Sequence, residues 1–194
     1  HVMNEFAAQI GRHGYLVVFG VVFAEAIGLP VPAAIALVAG GAAAASGVLS
    51  PMAVLFTAVA AMMLGDVLLY VAGQKMGWGL LGLLCKVSVN PETCILRSAE
   101  SFYKRGKLTL LIAKFIPGIN TMAPPLAGSM KMQFAQFFQF DLAGAALYAL
   151  AYGALGFMFR DFLAAITRGF QAAGRAVEIS LVAAVAVYVV YRVW

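Results

Sequence analysis

Two proline-broken apolar stretches, residues 23–41 (FAEAIGLPVPAAIALVAGG) and 112–130 (IAKFIPGINTMAPPLAGSM), each carry one charged residue just ahead of the break, Glu25 in the first and Lys114 in the second. Pro30 and Pro32, then Pro117, Pro124 and Pro125, lack a backbone donor and push the preceding residue out of helical geometry. With Gly118 they are the predicted break positions. A helix that only crosses lipid closes its hydrogen bonds internally. Broken backbone survives at membrane depth only where it is buried in protein or lines a wet cavity. The pattern therefore points to a transport site.

The setting for such a site is a bilayer. Apolar residues make up 63% of the 194, only 11% are charged, and mean hydropathy is +0.94, outside the soluble range. The 13 Lys and Arg against 8 acids give a charge of +5. The basic residues cluster between apolar segments, which reads as orientation and contact with anionic headgroups rather than nucleic-acid binding. Cys85 and Cys94 have no metal-ligand spacing around them and read as two incidental thiols. No metal, cofactor or enzymatic Ser/His constellation is expected.

Read along its length, the chain is a single membrane domain, 1–194. Residues 3–13 form a short amphipathic stretch expected to lie in the interface. Residues 15–48 are too short on either side of their break to span about 30 Å and read as a re-entrant hairpin. Residues 52–73 make a span containing Asp66, and 74–107 a polar interfacial region with a helical piece at 78–85. Residues 108–130 form a second re-entrant hairpin, 133–159 a span with Asp141 near its start, and 176–194 a final span. Similarities between the halves, such as Ala24-Glu25 with Ala113-Lys114, suggest two inverted repeats, each a hairpin plus a transmembrane helix, with an extra C-terminal transmembrane helix. The fold class is an all-α integral membrane protein. Residues 74–107 hold six Lys/Arg against two acids, which predicts a cytoplasmic location for them.

Charge within the apolar segments marks the candidate site. A carboxylate at mid-membrane costs roughly 2.5–3.5 kcal/mol on insertion scales, so Glu25 and Asp66 should face a cavity, pair with a cation or be protonated. The bland alternatives are a glutamate bonded to amides freed by the prolines and an interhelical clamp at Asp66. Lys114 could attract an anion or form a salt bridge to Glu25 or Asp66, and Asn120 could contact ligand or cap the broken helix. Glu25 and Lys114 are expected to meet near a pseudo-symmetric centre. Arg97, Lys104, Arg105 and Lys107 read as a positive-inside anchor or as headgroup-recruiting residues.

The ordered set of Glu25, LPVP, AGG, GD with Tyr70, Gly73 and Gly77, KFIPG and LAG with Met130 resembles the bacterial DedA family of membrane proteins, of the VTT or SNARE-associated domain type. The resemblance implies two opposed re-entrant hairpins and movement of phosphate-headed lipids between leaflets. Dependence on the proton-motive force and recycling of undecaprenyl phosphate attach to some members. The KFIPGINTMAPPLAG version is similar to members fused to a C-terminal rhodanese domain. The family's first acid falls on Glu25. Its second would fall near Ala34 and is absent, and its two arginines fall on Lys114 and Asn120. The function expected is a flippase or scramblase of phospholipid or undecaprenyl phosphate in the bacterial inner membrane, multi-pass and open to proton coupling. The alternative is a proton-coupled exchanger of small ions or osmolytes. The partners implied are anionic-headgroup lipids, with a homo-oligomer compatible with the pattern.

Overall fold

The computed structural model describes residues 2–87, 99–100, 102–116, 119–162, 164–165, 168–169 and 174, with side chains described from residue 13 onward. The chain divides into two compact units, His1–Met158 and Phe159–Trp194. The first unit holds α1 (Val2–Ala26), α2 (Ala33–Ala45), α3 (Pro51–Met76), α4 (Trp78–Val87), α5 (Leu108–Ala113), α6 (Ile119–Ser129) and α7 (Phe134–Met158). No strand occurs among the described residues. In the second unit Arg160 pairs with Asp161 at 3.3 Å, and the Arg168 Nε–H donates to the Ala164 carbonyl at 3.1 Å. The expected final span, 176–194, lies outside the described residues.

Both expected long spans are present. α3 has 26 residues and α7 has 25, lengths of about 39 and 38 Å at 1.5 Å per residue, enough to cross a hydrocarbon core of about 30 Å. Their windows have mean hydropathy 2.2 and 1.4. Pro51 opens α3 at a position where its missing donor costs nothing, and the Ser50 N–H ahead of it donates to the Tyr15 hydroxyl at 2.8 Å. Gly77, at φ +56°, ends the helix.

The broken stretches fold as helix, turn and helix. α1 and α2 run antiparallel, with Glu25 beside Ala33 at the closed end and Tyr15 beside Ser50 at the open end. The turn contains Pro30 and Pro32, and Gly28 takes φ +107°, the left-handed region where a side chain would be strained. In the second stretch the helix stops at Lys114 and resumes at Ile119. Pro117 and Gly118 lie outside the described residues.

Several expectations need correction. Residues 3–13 are not a separate helix, because α1 is continuous from Val2 to Ala26; no proline or glycine turn interrupts it. Pro124 and Pro125 are not a break. They sit buried inside α6, whose φ suits both rings, at the cost of two helix hydrogen bonds and of room for the rings against the carbonyls four residues back. Cys85 is not an incidental thiol: it is disulfide-bonded, and the chain's other cysteine, Cys94, lies outside the described residues.

The halves are joined by two backbone seams. α2 packs on α7, and α6 packs on α3. A Cβ at Gly73 would stand 2.2 Å from the Pro125 carbonyl oxygen, and one at Gly128 2.1 Å from that of Tyr70; in the other seam Gly41 approaches the Gly153 oxygen at 2.1 Å and Gly156 the Val38 oxygen at 2.0 Å. Only glycine permits these approaches, the small-residue packing expected where no hydrophobic gain drives helices together in lipid. We predict that Gly73→Ala and Gly156→Ala each lower the melting temperature of the purified protein, at a cost of about 1–3 kcal/mol or more. Gly20→Ala, whose Cβ would meet nothing within 4 Å, should leave the melting temperature unchanged or raise it, since alanine is the better helix former.

Candidate functional site

Glu25 ends α1 facing the first residues of α2. Its Oε2 accepts the Ala33 N–H, so the carboxylate caps α2 where Pro32 has no hydroxyl or carboxyl to offer. Its Oε1 accepts from Asn120 Nδ2 at 2.8 Å. Asn120 in turn uses Oδ1 to accept the Thr121 N–H at 2.8 Å, near the start of α6. One side chain thus links the closed end of the first helix pair to the second. The first amides of α6 are taken by Ile116 and Asn120: Ile119 and Asn120 N–H both donate to the Ile116 carbonyl, at 3.2 and 3.3 Å.

Lys114 does not pair with Glu25. Its Nζ is in ion-pair contact with Asp66 Oδ2 of α3 and lies 3.4 Å from Asp141 Oδ1 of α7. The lysine side chain is 7% exposed and each aspartate 1%. The second oxygen of each acid, Asp66 Oδ1 and Asp141 Oδ2, is buried with no hydrogen-bond partner. By charge counting, one ammonium between two carboxylates leaves a net −1, and the half-buried Glu25 nearby adds another negative charge. Removing water from such groups costs several kcal/mol per ion, so the cluster is a high-energy arrangement unless a proton or cation completes it.

Val22, Glu25, Met62, Asp66, Lys114, Asn120 and Tyr148 share the walls of a cavity of about 20 Å³, room for about one water. All four of the sequence-predicted site residues therefore line one chamber. Asp141, beside Lys114 though not on the chamber's wall, was legible as an ionisable residue in an apolar span but had no motif to mark it. Tyr148 carried no signal, being one aromatic among many; its ring packs edge-on against Phe115 at 5.5 Å. Tyr70, one turn from Asp66, is turned away: its hydroxyl donates to the Met132 carbonyl and its ring stacks on Phe137 at 4.3 Å.

The basic run does not reach the chamber. Lys104 pairs with Glu100 at 2.5 Å in the open, a contact worth little. Arg105 is exposed, and Lys107 lies over the Phe140 ring at 5.2 Å. Arg97 lies outside the described residues.

The family model for the VTT domain matches residues 29–158, the stretch that holds Asp66, Lys114, Asn120 and Asp141. The chain belongs to the VTT-domain, or DedA, family. It is 30% identical over 147 residues to an uncharacterized membrane protein of Synechocystis, covering 76% of this chain and 66% of that one. It is 29% identical over 170 residues to Protein DedA of Escherichia coli K12, covering 81% and 74%. A Lactococcus lactis protein named alkaline phosphatase-like is 29% identical over 161 residues, covering 79% and 75%. The chain thus spans just under two thirds of the cyanobacterial relative's length. No solved structure matches it. The VTT match begins at Leu29 and so excludes Glu25, although Glu25 closes the chamber that the VTT domain supplies.

The buried triad yields a stability test. Lys114→Met should destabilise the purified protein by about 3–5 kcal/mol, the loss typical of stranding a buried charge. Adding Asp66→Asn and Asp141→Asn to it should restore much of that loss. Equal melting temperatures for the single and triple variants would show that the three groups are not coupled.

Proposed function

We propose that this VTT-domain protein is a multi-pass transporter of the bacterial inner membrane that moves phosphate-headed lipids between leaflets, as a flippase or scramblase, under proton control. The observation that carries this reading is Lys114 held between Asp66 and Asp141 with two carboxylate oxygens unpartnered. As folded, the lysine is occupied and the chamber is net acidic, a poor host for phosphate. Protonation of the aspartates neutralises its competitors and frees the ammonium for an anionic headgroup, while the lipid's tails stay in apolar surroundings. The two helix pairs act as opposed re-entrant hairpins of an inverted repeat. Supporting this is the reciprocal packing of α2 on α7 and α6 on α3, each hairpin's second helix lying on the other half's span. The chain acts without chemistry of its own, as a carrier rather than an enzyme.

The acidic character of the same chamber favours a second reading, proton-coupled exchange of a small cation or osmolyte, in which the aspartates themselves meet the cargo. Purified protein in liposomes separates the two. The lipid reading predicts headgroup-resolved translocation that quickens on acidification, with no accompanying ion flux. Asp141→Asn, which leaves one lysine facing one aspartate, should flatten that pH dependence. Ion flux without lipid movement would overturn the lipid reading in favour of exchange.

The Cys85 disulfide bears on orientation. Disulfides persist in oxidising compartments and are rare where glutathione keeps thiols reduced. We place the end of α4 on the periplasmic face, opposite to the expectation from the basic residues of 74–107. In intact cells a membrane-impermeant thiol reagent should then label the chain once an impermeant reductant is added. Labelling that requires permeabilised cells would restore the cytoplasmic assignment.

A further inference from the structure

The structure contains a second, wholly different cavity. It is about 310 Å³, lies between α2, the start of α3 and the C-terminal half of α7, and every residue on its wall is apolar, Leu37, Leu55, Ala149, Gly153 and Phe157 among them. We infer that this slot holds one acyl chain of a membrane phospholipid, an inference that rests on the lipid-transport reading above for the headgroup's destination.

Three observations lead to that occupant. Two of the slot's three walls, α3 and α7, are the helices long and apolar enough to cross the bilayer, so the medium around the slot is hydrocarbon. Water has no partner on such a wall, and an empty slot leaves its lining without the dispersion contacts that packing normally supplies. A lipid tail provides them.

The second observation is register. The polar chamber and the apolar slot are lined by the same three helices: Ala33 then Leu37 on α2, Tyr148 then Ala149 on α7, and Met62 then Leu55 on α3. Ala33 and Leu37 are one turn apart, about 6 Å along the axis. A polar chamber with an apolar slot beginning about one turn away matches the layout of a single amphiphile, headgroup then tail.

The third is the shape of the floor. Gly41 and Gly153 touch through backbone, since a Cβ on Gly41 would stand 2.1 Å from the Gly153 oxygen. A Cβ on Gly153 itself would meet nothing within 4 Å. Gly153 thus forms a floor with open space above it, and a side chain introduced there fills the slot without striking the backbone.

The test uses the full chain in vesicles of phosphatidylglycerol and phosphatidylethanolamine that contain a trace of phospholipid with a diazirine at the acyl terminus, with adducts mapped by mass spectrometry. The expected result is adducts concentrated within 37–55 and 149–158 over the exposed face of α1 around Gly20. Gly153→Trp should reduce labelling of those segments by about tenfold, the loss expected for displacing about two methylenes. Gly20→Trp should not change it. Gly153→Leu, a smaller filling, repeats the comparison should the tryptophan variant fail to fold, with a smaller reduction expected.

Adducts no denser in the slot than around Gly20, or labelling unaffected by both Gly153 variants, would overturn the inference. So would crosslinks showing that a second copy or residues 176–194 fill the slot instead. The two readings fail separately. Gly153-sensitive labelling without lipid translocation would leave the slot standing and refute transport; translocation without Gly153-sensitive labelling would do the reverse.

Discussion

A lysine ammonium removed from water needs a counter-charge, and the site is arranged around how Lys114 finds one. It sits where α5 ends, and reaches Asp66 on α3 and Asp141 on α7, so one cation ties the turn of the second broken helix pair to both long spans. Those contacts fix where the second pair sits, and with it Asn120, whose amide holds Glu25 at the end of the first. The same arrangement carries an excess negative charge in a site with room for about one water. A buried pair is weak evidence for stability but strong evidence that removing one member is costly. A third charged member makes the cluster responsive to a proton, because one proton changes which oxygen the lysine must satisfy.

This charge cluster can be buried only because the helices around it approach closely. In each seam two glycines, Gly73 with Gly128 and Gly41 with Gly156, bring backbone against backbone where any side chain would collide with a carbonyl oxygen. Tyr70 and Ser129 reinforce the first: the tyrosine hydroxyl donates to Met132, and the serine hydroxyl to the Gly73 and Pro125 carbonyls, the latter at 2.9 Å. Such polar contacts between helices matter in a bilayer, where water offers no alternative partner.

Much of this was legible in the sequence, for reasons that can be named. Long apolar runs opened by Ser50-Pro51 and preceded by Gln133 gave the two spans, because length and hydropathy alone determine whether a helix can cross a bilayer. Glu25, Asp66 and Lys114 stood out because charge in apolar sequence is costly without a partner. The pairing was legible in part: Asp66 was one of the two acids open to the lysine, and it is the one taken. Opposite charges at matching places in two stretches also suggested Glu25 with Lys114, yet Glu25 is used locally to cap α2. Asp141 was visible but undistinguished, since only the packing of α7 against α5 brings it to the lysine. Pro124 and Pro125 were read as a break because proline penalises helix interiors; here buried packing of α6 on α3 overrides that local preference. The Cys85 disulfide was missed because two cysteines without metal-ligand spacing carry no signal of whether they are oxidised.

If one lysine serving two buried aspartates is the point of proton control, acidification must place a proton on the triad. Infrared spectroscopy of protein carrying isotope-labelled aspartate reads this directly. The wild-type protein should show a protonated carboxyl stretch that grows in over the pH range in which transport quickens, and Asp66→Asn and Asp141→Asn should each abolish that change, because either leaves a single carboxylate paired with the lysine. A spectrum with every aspartate ionised throughout that range, or a band that grows in unchanged in both variants, would contradict a proton-controlled triad.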